Sequence, residues 1–162
     1  MKAATNTSPL IFLTKIGRLD VLEQYDTVFV PSEVLAEIEA GRRLGHEEAL
    51  SVEALVERGR LKVARGGRLR GEWNLDKGEM AVLALALRRE VDEVVVDDRP
   101  AIAGAKFLGL RPVSVPFLLL RESRAGRMSQ NDFERSLRDL LGSGYHLSTL
   151  LYERLLKEGR RT

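Results

Sequence analysis

Apolar residues fall along this chain in two rhythms: short continuous runs, and longer stretches in which they recur at helical spacing. Residues 3–7, 27–30, 61–64, 94–97 and 112–115 are the short runs, bounded by polar or turn residues, and read as five strands. Between them, 9–16 carries apolar side chains at 10, 11, 13 and 16, and 19–24 adds a helical turn. Pro31-Ser32 punctuates the chain before a helix over 33–43, with Ser32 as its N-cap. Residues 47–58 keep Leu50, Ala54 and Leu55 on one side of a further helix, and 65–72 is a Gly/Arg loop. The clearest element spans 76–90. Asp76 and Glu79 have the spacing of a capping box, and Met80 through Leu87 is apolar on every face, the mark of a helix buried on most sides. Helices over 100–108, 117–122, 130–141 and 149–157 complete the pattern.

Strands that alternate with helices predict a parallel sheet covered on both faces, and right-handed crossovers make it a three-layer α/β/α sandwich. The 162 residues, 44% of them hydrophobic, suit a single domain over 1–162 with C-terminal helices from about 116. That apolar content excludes a disordered chain, and the lack of Cys excludes a disulfide scaffold, thiol catalysis and cysteine-ligated zinc. No apolar run approaches the roughly 20 residues of a membrane helix, and no signal-peptide core follows Met1-Lys2, so a cytoplasmic protein with no membrane partner is expected. Neither a phosphate-binding P-loop nor a dinucleotide fingerprint is present.

The net charge of +2, from 26 cations and 24 acids, is too small to mark a nucleic-acid binder, but its distribution is uneven. Arg58, Arg60, Lys62, Arg65, Arg68 and Arg70 follow one another without an intervening acid, and Asp92, Glu93, Asp97 and Asp98 without a base. The basic run suits RNA phosphates or a solvated loop, and Trp73 suits a stacked base or a place in the core. Open α/β sheets place their sites at the carboxyl ends of the strands. There the sequence sets Asn6-Thr7-Ser8, the helix with Glu33, Glu37 and Glu39, the Glu79 end of the buried helix, and Asp97-Asp98-Arg99. Carboxylates gathered at one rim raise one another's pKa, and a divalent cation relieves the repulsion. Mg²⁺ or Mn²⁺ among oxygen ligands suits phosphate chemistry. Each polar residue also has a structural role open to it. Glu79 completes the capping box, Asp98 stands where it caps the next helix, and Asn6 is a turn former. Glu37 and Glu39 make comparable angles with the stripe of Val34, Leu35 and Ile38, so spacing does not choose between them.

Asn6-Thr7-Ser8-Pro9-Leu10-Ile11, Val30-Pro31-Ser32-Glu33-Val34-Leu35-Ala36-Glu37, Leu75-Asp76-Lys77-Gly78-Glu79-Met80-Ala81, Val96-Asp97-Asp98-Arg99 with Ala103-Gly104-Ala105 and Leu108-Gly109-Leu110, and Gly144-Tyr145-His146-Leu147-Ser148 carry a resemblance. In order and spacing, over nearly the whole chain, they resemble the PIN-domain family, in particular a branch of prokaryotic proteins related to VapC-type toxins. The resemblance implies a Mg²⁺- or Mn²⁺-dependent ribonuclease on a five-stranded parallel sheet, cutting single-stranded RNA to 5′-phosphate and 3′-hydroxyl ends. Carried over residue by residue, Asn6 falls at the family's first acid, Glu37 at the second, Glu79 at the third and Asp98 at the fourth, with Asp97 beside it. Ser8 falls near the small hydroxyl residue that accompanies the first acid. Glu37, Glu79, Asp97 and Asp98 are thus the expected metal ligands, and Glu37, Glu79, Asp98 and Asn6 the catalytic set. Ser8, Arg65, Arg68, Arg70 and Arg99 are the candidate substrate contacts.

Asn6 departs from the family pattern: an amide stands where the family has Asp, and it ligates without charge. Two readings follow. One is a toxin-like endoribonuclease with an antitoxin protein as partner, paired as a homodimer. The other is a catalytically silent PIN-like module that binds RNA or a protein. The Leu118-Leu119-Leu120 and Leu150-Leu151, Leu155-Leu156 stripes suit the core or a dimer face. A receiver-like phosphoacceptor is disfavoured, because its acid pair would stand where Asn6 is.

Overall fold

The computed structural model describes residues 1–160. Five strands, β1 (Lys2–Thr5), β2 (Thr27–Pro31), β3 (Leu61–Ala64), β4 (Glu93–Val95) and β5 (Pro112–Val113), pair in parallel in the order β3-β2-β1-β4-β5. Eight α-helices connect and follow them: α1 (Thr7–Lys15), α2 (Ser32–Arg43), α3 (Glu48–Glu57), α4 (Lys77–Arg89), α5 (Arg99–Phe107), α6 (Val115–Arg124), α7 (Gln130–Gly142) and α8 (Thr149–Gly159). A 3₁₀ turn covers Leu19–Gln24, where a helical turn was expected.

Successive strand residues point to opposite faces, and here both faces are covered. Ala3, Val28, Val30 and Val95 join one core with Leu10, Leu13, Val34, Val52, Leu118 and Leu137. Ala4, Phe29, Val94 and Val96 join the other with Val82, Leu83, Ala101 and Ala105. The sheet therefore lies between two helical layers, as the alternation of elements predicts. The chain winds outward from β1 to β2 to β3, then crosses back to lay β4 beside β1. Helix α4 makes that return, packing on β1, β2 and β4 while touching α2 and α5, which accounts for its lack of a polar face. The capping box at its start is formed on both sides: Asp76 accepts from the Glu79 N–H at 2.7 Å, and Glu79 accepts from the Asp76 N–H at 2.9 Å. Most of both leucine stripes enters the core or packs against it, whereas Leu150 is 78% exposed.

Several expected boundaries move. Helix α2 begins at Ser32 with Pro31 as its N-cap, because the extended φ and ψ of the cap fall on the proline; the Ser32 hydroxyl donates to Glu33 instead. Strand β1 stops at Thr5, since the chain turns at Asn6 into a helix that takes Pro9 in its first turn, where no N–H partner is needed. Strand β4 starts at Glu93 and stops at Val95, so both Asp97 and Asp98 lie beyond it. Among the described residues no helix is long and apolar enough to cross a membrane.

Glu93 anchors the amino end of β4. It is 1% exposed, yet Arg121 donates to both its oxygens at 2.9 Å, Arg111 stands 3.5 Å away, and the Tyr25 hydroxyl donates to it. Burial pushes the carboxyl up, but the hydrogen bonds of Arg121 and Tyr25 and the Arg121 charge outweigh it and hold the pKa below the usual range. This cluster ties β4 to α6 and to the segment before β2. Breaking a buried ion pair from one side leaves an uncompensated charge. Arg121→Leu is therefore expected to lower the unfolding free energy by about 3 kcal/mol in urea titration at pH 7. A loss under about 1 kcal/mol would show that Arg111 and Tyr25 suffice for Glu93.

Candidate functional site

In a parallel sheet every strand hands the chain to its helix at the carboxyl edge. Asn6, Asp76 and Asp98 occupy the N-cap positions of α1, α4 and α5, and α6 opens at Val115 close behind β5. Helix N-termini, with their positive partial charge, thus line this edge, an environment that accepts anions.

Two oxygens at the centre of the edge have no partner. Asn6 is 4% exposed; its side chain makes no cap bond to α1, and its Oδ1 is buried without a hydrogen bond. Asp97 stands two residues past β4. Its Oδ1 accepts from the Val115 N–H at 2.9 Å and from the Tyr145 hydroxyl at 2.6 Å, while its Oδ2 is buried without a hydrogen bond. Because Thr5 of β1 pairs with Val95 of β4, these two residues end neighbouring strands. Burial, with a contribution from the Asp98 charge, pushes the Asp97 carboxyl up to about 6 against the two hydrogen bonds it accepts.

The other acids gather beside this pair. Glu37 reaches from α2 to the Thr7 hydroxyl, which donates to its Oε2 at 2.5 Å. Its carboxylate lies over Gly78 in the first turn of α4, so close that a Cβ there would come within 2.6 Å of Oε1. Of the two glutamates that helical spacing left open, Glu37 is the one held at this edge, by the Thr7 hydroxyl. Glu79 is buried, and burial together with the charges of Asp76, Asp98 and Glu37 raises its pKa against the hydrogen bond from Asp76. Asp98 is exposed; although it sits at the N-cap of α5, its side chain makes no cap bond, so the capping role open to it is not performed. Glu37 thus lies against the first turn of α4, beside Glu79, and Asp98 directly follows Asp97.

The basic residues divide. Arg65 and Arg68 line a cavity of about 510 Å³ with Glu33, Asp76 and Lys77, against the start of α4. Glu33 accepts from the Gly66 N–H at 3.0 Å, and Arg88 donates to the Arg65 carbonyl, which fasten this loop to the sheet edge. Arg70 lies farther along the loop, where its carbonyl accepts from the Trp73 indole at 2.9 Å. Trp73 meets Phe107 edge to face at 5.6 Å, outside both core clusters. Arg99 opens α5, exposed, next to Asp98. Ser8 is half-buried in the first turn of α1, and it is Thr7, one residue earlier, that contacts Glu37.

The family profile described as DUF3368: PIN domain matches residues 2–160. The chain belongs to the PIN-domain family. PIN domains are typically nucleases and generally use divalent metals. Among solved structures, a PilT N-terminus domain protein from the hyperthermophilic archaeon Sulfolobus solfataricus superposes with a TM-score of 0.56 at 18% identity, covering 73% of this chain and 90% of that one. A domain of a functionally unknown protein from Methanocaldococcus jannaschii gives 0.50 at 16% identity, covering 70% and 90%. At these identities the likeness is one of fold. No curated protein matches the chain.

The donor chemistry of this PIN domain fits a hard divalent cation. Every group at the rim offers oxygen, and a buried acceptor left unpaired costs about 1–3 kcal/mol outside a site that offers it to a ligand. Among the described residues no three Asp, Glu or His side chains stand close enough to form a metal cage of their own. Mg²⁺ is ordinarily held by one or two carboxylates with water and substrate phosphate, so such a cage is not required. Sequence reasoning passed over Thr7 and Tyr145. Thr7 lay inside the quoted Asn6-Thr7-Ser8 run, and Tyr145 inside the C-terminal motif, but neither spacing says which distant side chain it meets. An acid whose folded pKa lies above its unfolded value stabilises the fold below that range and loses the benefit as pH rises through it. In metal-free buffer, wild type minus Asp97→Asn is therefore expected to lose about 2 kcal/mol of unfolding free energy between pH 4 and pH 7, read from urea titrations. A flat difference would place the carboxylate in water.

Proposed function

We propose that this PIN domain is a divalent-metal-dependent endoribonuclease that cleaves single-stranded RNA. The observation that carries the reading is the pair of partnerless oxygens, Asn6 Oδ1 and Asp97 Oδ2, at the ends of adjacent central strands. Asn6, Asp97 and Asp98, with Glu37 and Glu79 alongside, would hold Mg²⁺ or Mn²⁺. Such an ion, when bound, supplies charge stabilisation at the phosphoryl group and a nucleophile at neutral pH. The chain's own residues do the rest. Thr7 fixes the Glu37 carboxylate, the capping box fixes Glu79, and Tyr145 with Val115 fixes Asp97. Arg65, Arg68 and Lys77 on one flank and Arg99 on the other offer cations to the RNA backbone, while the helix N-termini favour the phosphate at the centre. In-line attack at phosphorus then leaves 5′-phosphate and 3′-hydroxyl ends. A toxin-like setting in the cytoplasm, with an antitoxin protein and a homodimeric state, belongs to the same proposal.

One observation favours a second reading. Asn6 contributes no charge, and the remaining acids form no cage by themselves. On that reading the chain is a silent module that binds RNA or a protein.

Cleavage of a labelled single-stranded RNA in Mn²⁺ separates the two. Wild type is expected to cut, Asp98→Ala to lose roughly 100-fold or more, and Asn6→Asp to cut faster, because it restores a charge to the ligand set. Equal rates for wild type and Asp98→Ala would remove Asp98 from the site. Cleavage by Asn6→Asp alone would establish the silent reading for the natural protein. Gly78→Ala offers a complementary check. Its methyl displaces Glu37, so the rate is expected to fall about tenfold, while helix propensity keeps or raises the melting temperature. An unchanged rate would mean that Glu37 plays no part.

A further inference from the structure

We propose that Tyr145, from the loop between α7 and α8, is a positioning residue of the site: its hydroxyl pins one oxygen of Asp97 so that the other is presented to the cation. This rests on the metal-dependent reading above. A carboxylate is free to turn about its last bond and exchange its two oxygens. Asp97 is not free in this way, because two donors converge on the same oxygen, the Val115 N–H at 2.9 Å and the Tyr145 hydroxyl at 2.6 Å. Oδ2 is thereby left as the buried oxygen without a partner, at the strand end beside Asn6.

The tyrosine is itself held. Its ring meets Phe12 edge to face, with centroids 5.0 Å apart and planes at 76°. Phe12 lies in α1, the helix that Asn6 begins, so one aromatic ring touches the elements on both sides of the oxygen pair. The Tyr145 N–H donates to the Leu140 carbonyl at 3.2 Å, the Ser143 hydroxyl donates to the same carbonyl at 2.7 Å, and Gly144 supplies the positive φ of 93° that turns the chain between them. Burial and the neighbouring Asp97 charge keep the phenol protonated, so it remains a donor. Packing alone asks for a ring here, and phenylalanine supplies one; the hydroxyl answers to Asp97. The C-terminal helical pair, which lies outside the five-stranded βα frame, thus completes the site.

Mn²⁺ binding to the full chain, followed by isothermal titration calorimetry without RNA, tests this. Tyr145→Phe is expected to weaken Mn²⁺ binding about 10- to 100-fold, the range for loss of a group that orients a metal ligand. Phe12→Leu loses the ring contact but keeps the hydroxyl and the backbone bond to Leu140 that holds Tyr145 in place, and is expected to stay within about threefold of wild type. Thermal melts fix a temperature at which all three chains are folded. Binding by Tyr145→Phe within about threefold of wild type overturns the role of Tyr145 and leaves the proposed function standing. An equal loss in Phe12→Leu also overturns it, since the ring and not the hydroxyl then matters. A wild type that does not bind Mn²⁺ overturns the metal-dependent reading, and this role with it.

Discussion

Asn6 Oδ1 and Asp97 Oδ2 end adjacent strands without a hydrogen bond, and the edge of the sheet is arranged around them. Their proximity follows from the winding of the chain. β1, β2 and β3 progress in one direction, and β4 then returns to the other side of β1. At that reversal the helices that follow the two neighbouring strands leave for opposite faces, α1 toward one core and α5 toward the other. This is the switch point at the carboxyl ends of the strands, the place where open α/β sheets bind ligands. Residues 91 apart in sequence, 6 and 97, are brought to the ends of adjacent strands by this single topological step.

The two ends of β4 show what environment does to one chemical group. Glu93 and Asp97 are both enclosed carboxylates on the same segment. Glu93 is met by a bidentate guanidinium and a phenol, so its charged form is favoured and its pKa falls. Asp97 receives two hydrogen bonds on one oxygen only, faces the like charge of Asp98, and is raised. The first arrangement is closed and ties the fold together; the second retains acceptor capacity, and that capacity is what chemistry requires. The capping box joins both functions in one residue. Glu79 satisfies a backbone N–H at the start of α4 and still feels Asp98 and Glu37.

Charge at the carboxyl edge of the sheet is layered. Acids stand at its centre beside the helix N-termini, and arginines and a lysine stand around it, carried by a loop that Glu33 fastens through the Gly66 N–H. On the proposed function, an RNA strand would meet these cations before the carboxylates, and a divalent ion between them would reconcile carboxylate with phosphate.

The hydrophobic rhythm was sufficient for the fold. Five short runs and the helices between them dictate a parallel three-layer sheet, because strands that must be covered on both faces have no other economical packing. The fully apolar body of 80–87 announced a buried crossover, and Asp76 with Glu79 marked its start, both through interactions within a few residues. The sequence also located the acids at strand ends, since strand ends are local features. Contacts across long separations were beyond it. Helical angles did not separate Glu37 from Glu39; the Thr7 hydroxyl and the absence of a side chain at Gly78 did. The cap that was open to Asp98 was not made, and Tyr145 met Asp97 from 48 residues away. Periodicity encodes which face of an element is buried, so architecture is legible in one dimension. Which oxygen remains without a partner depends on side chains converging in three, and only the tertiary structure decides it.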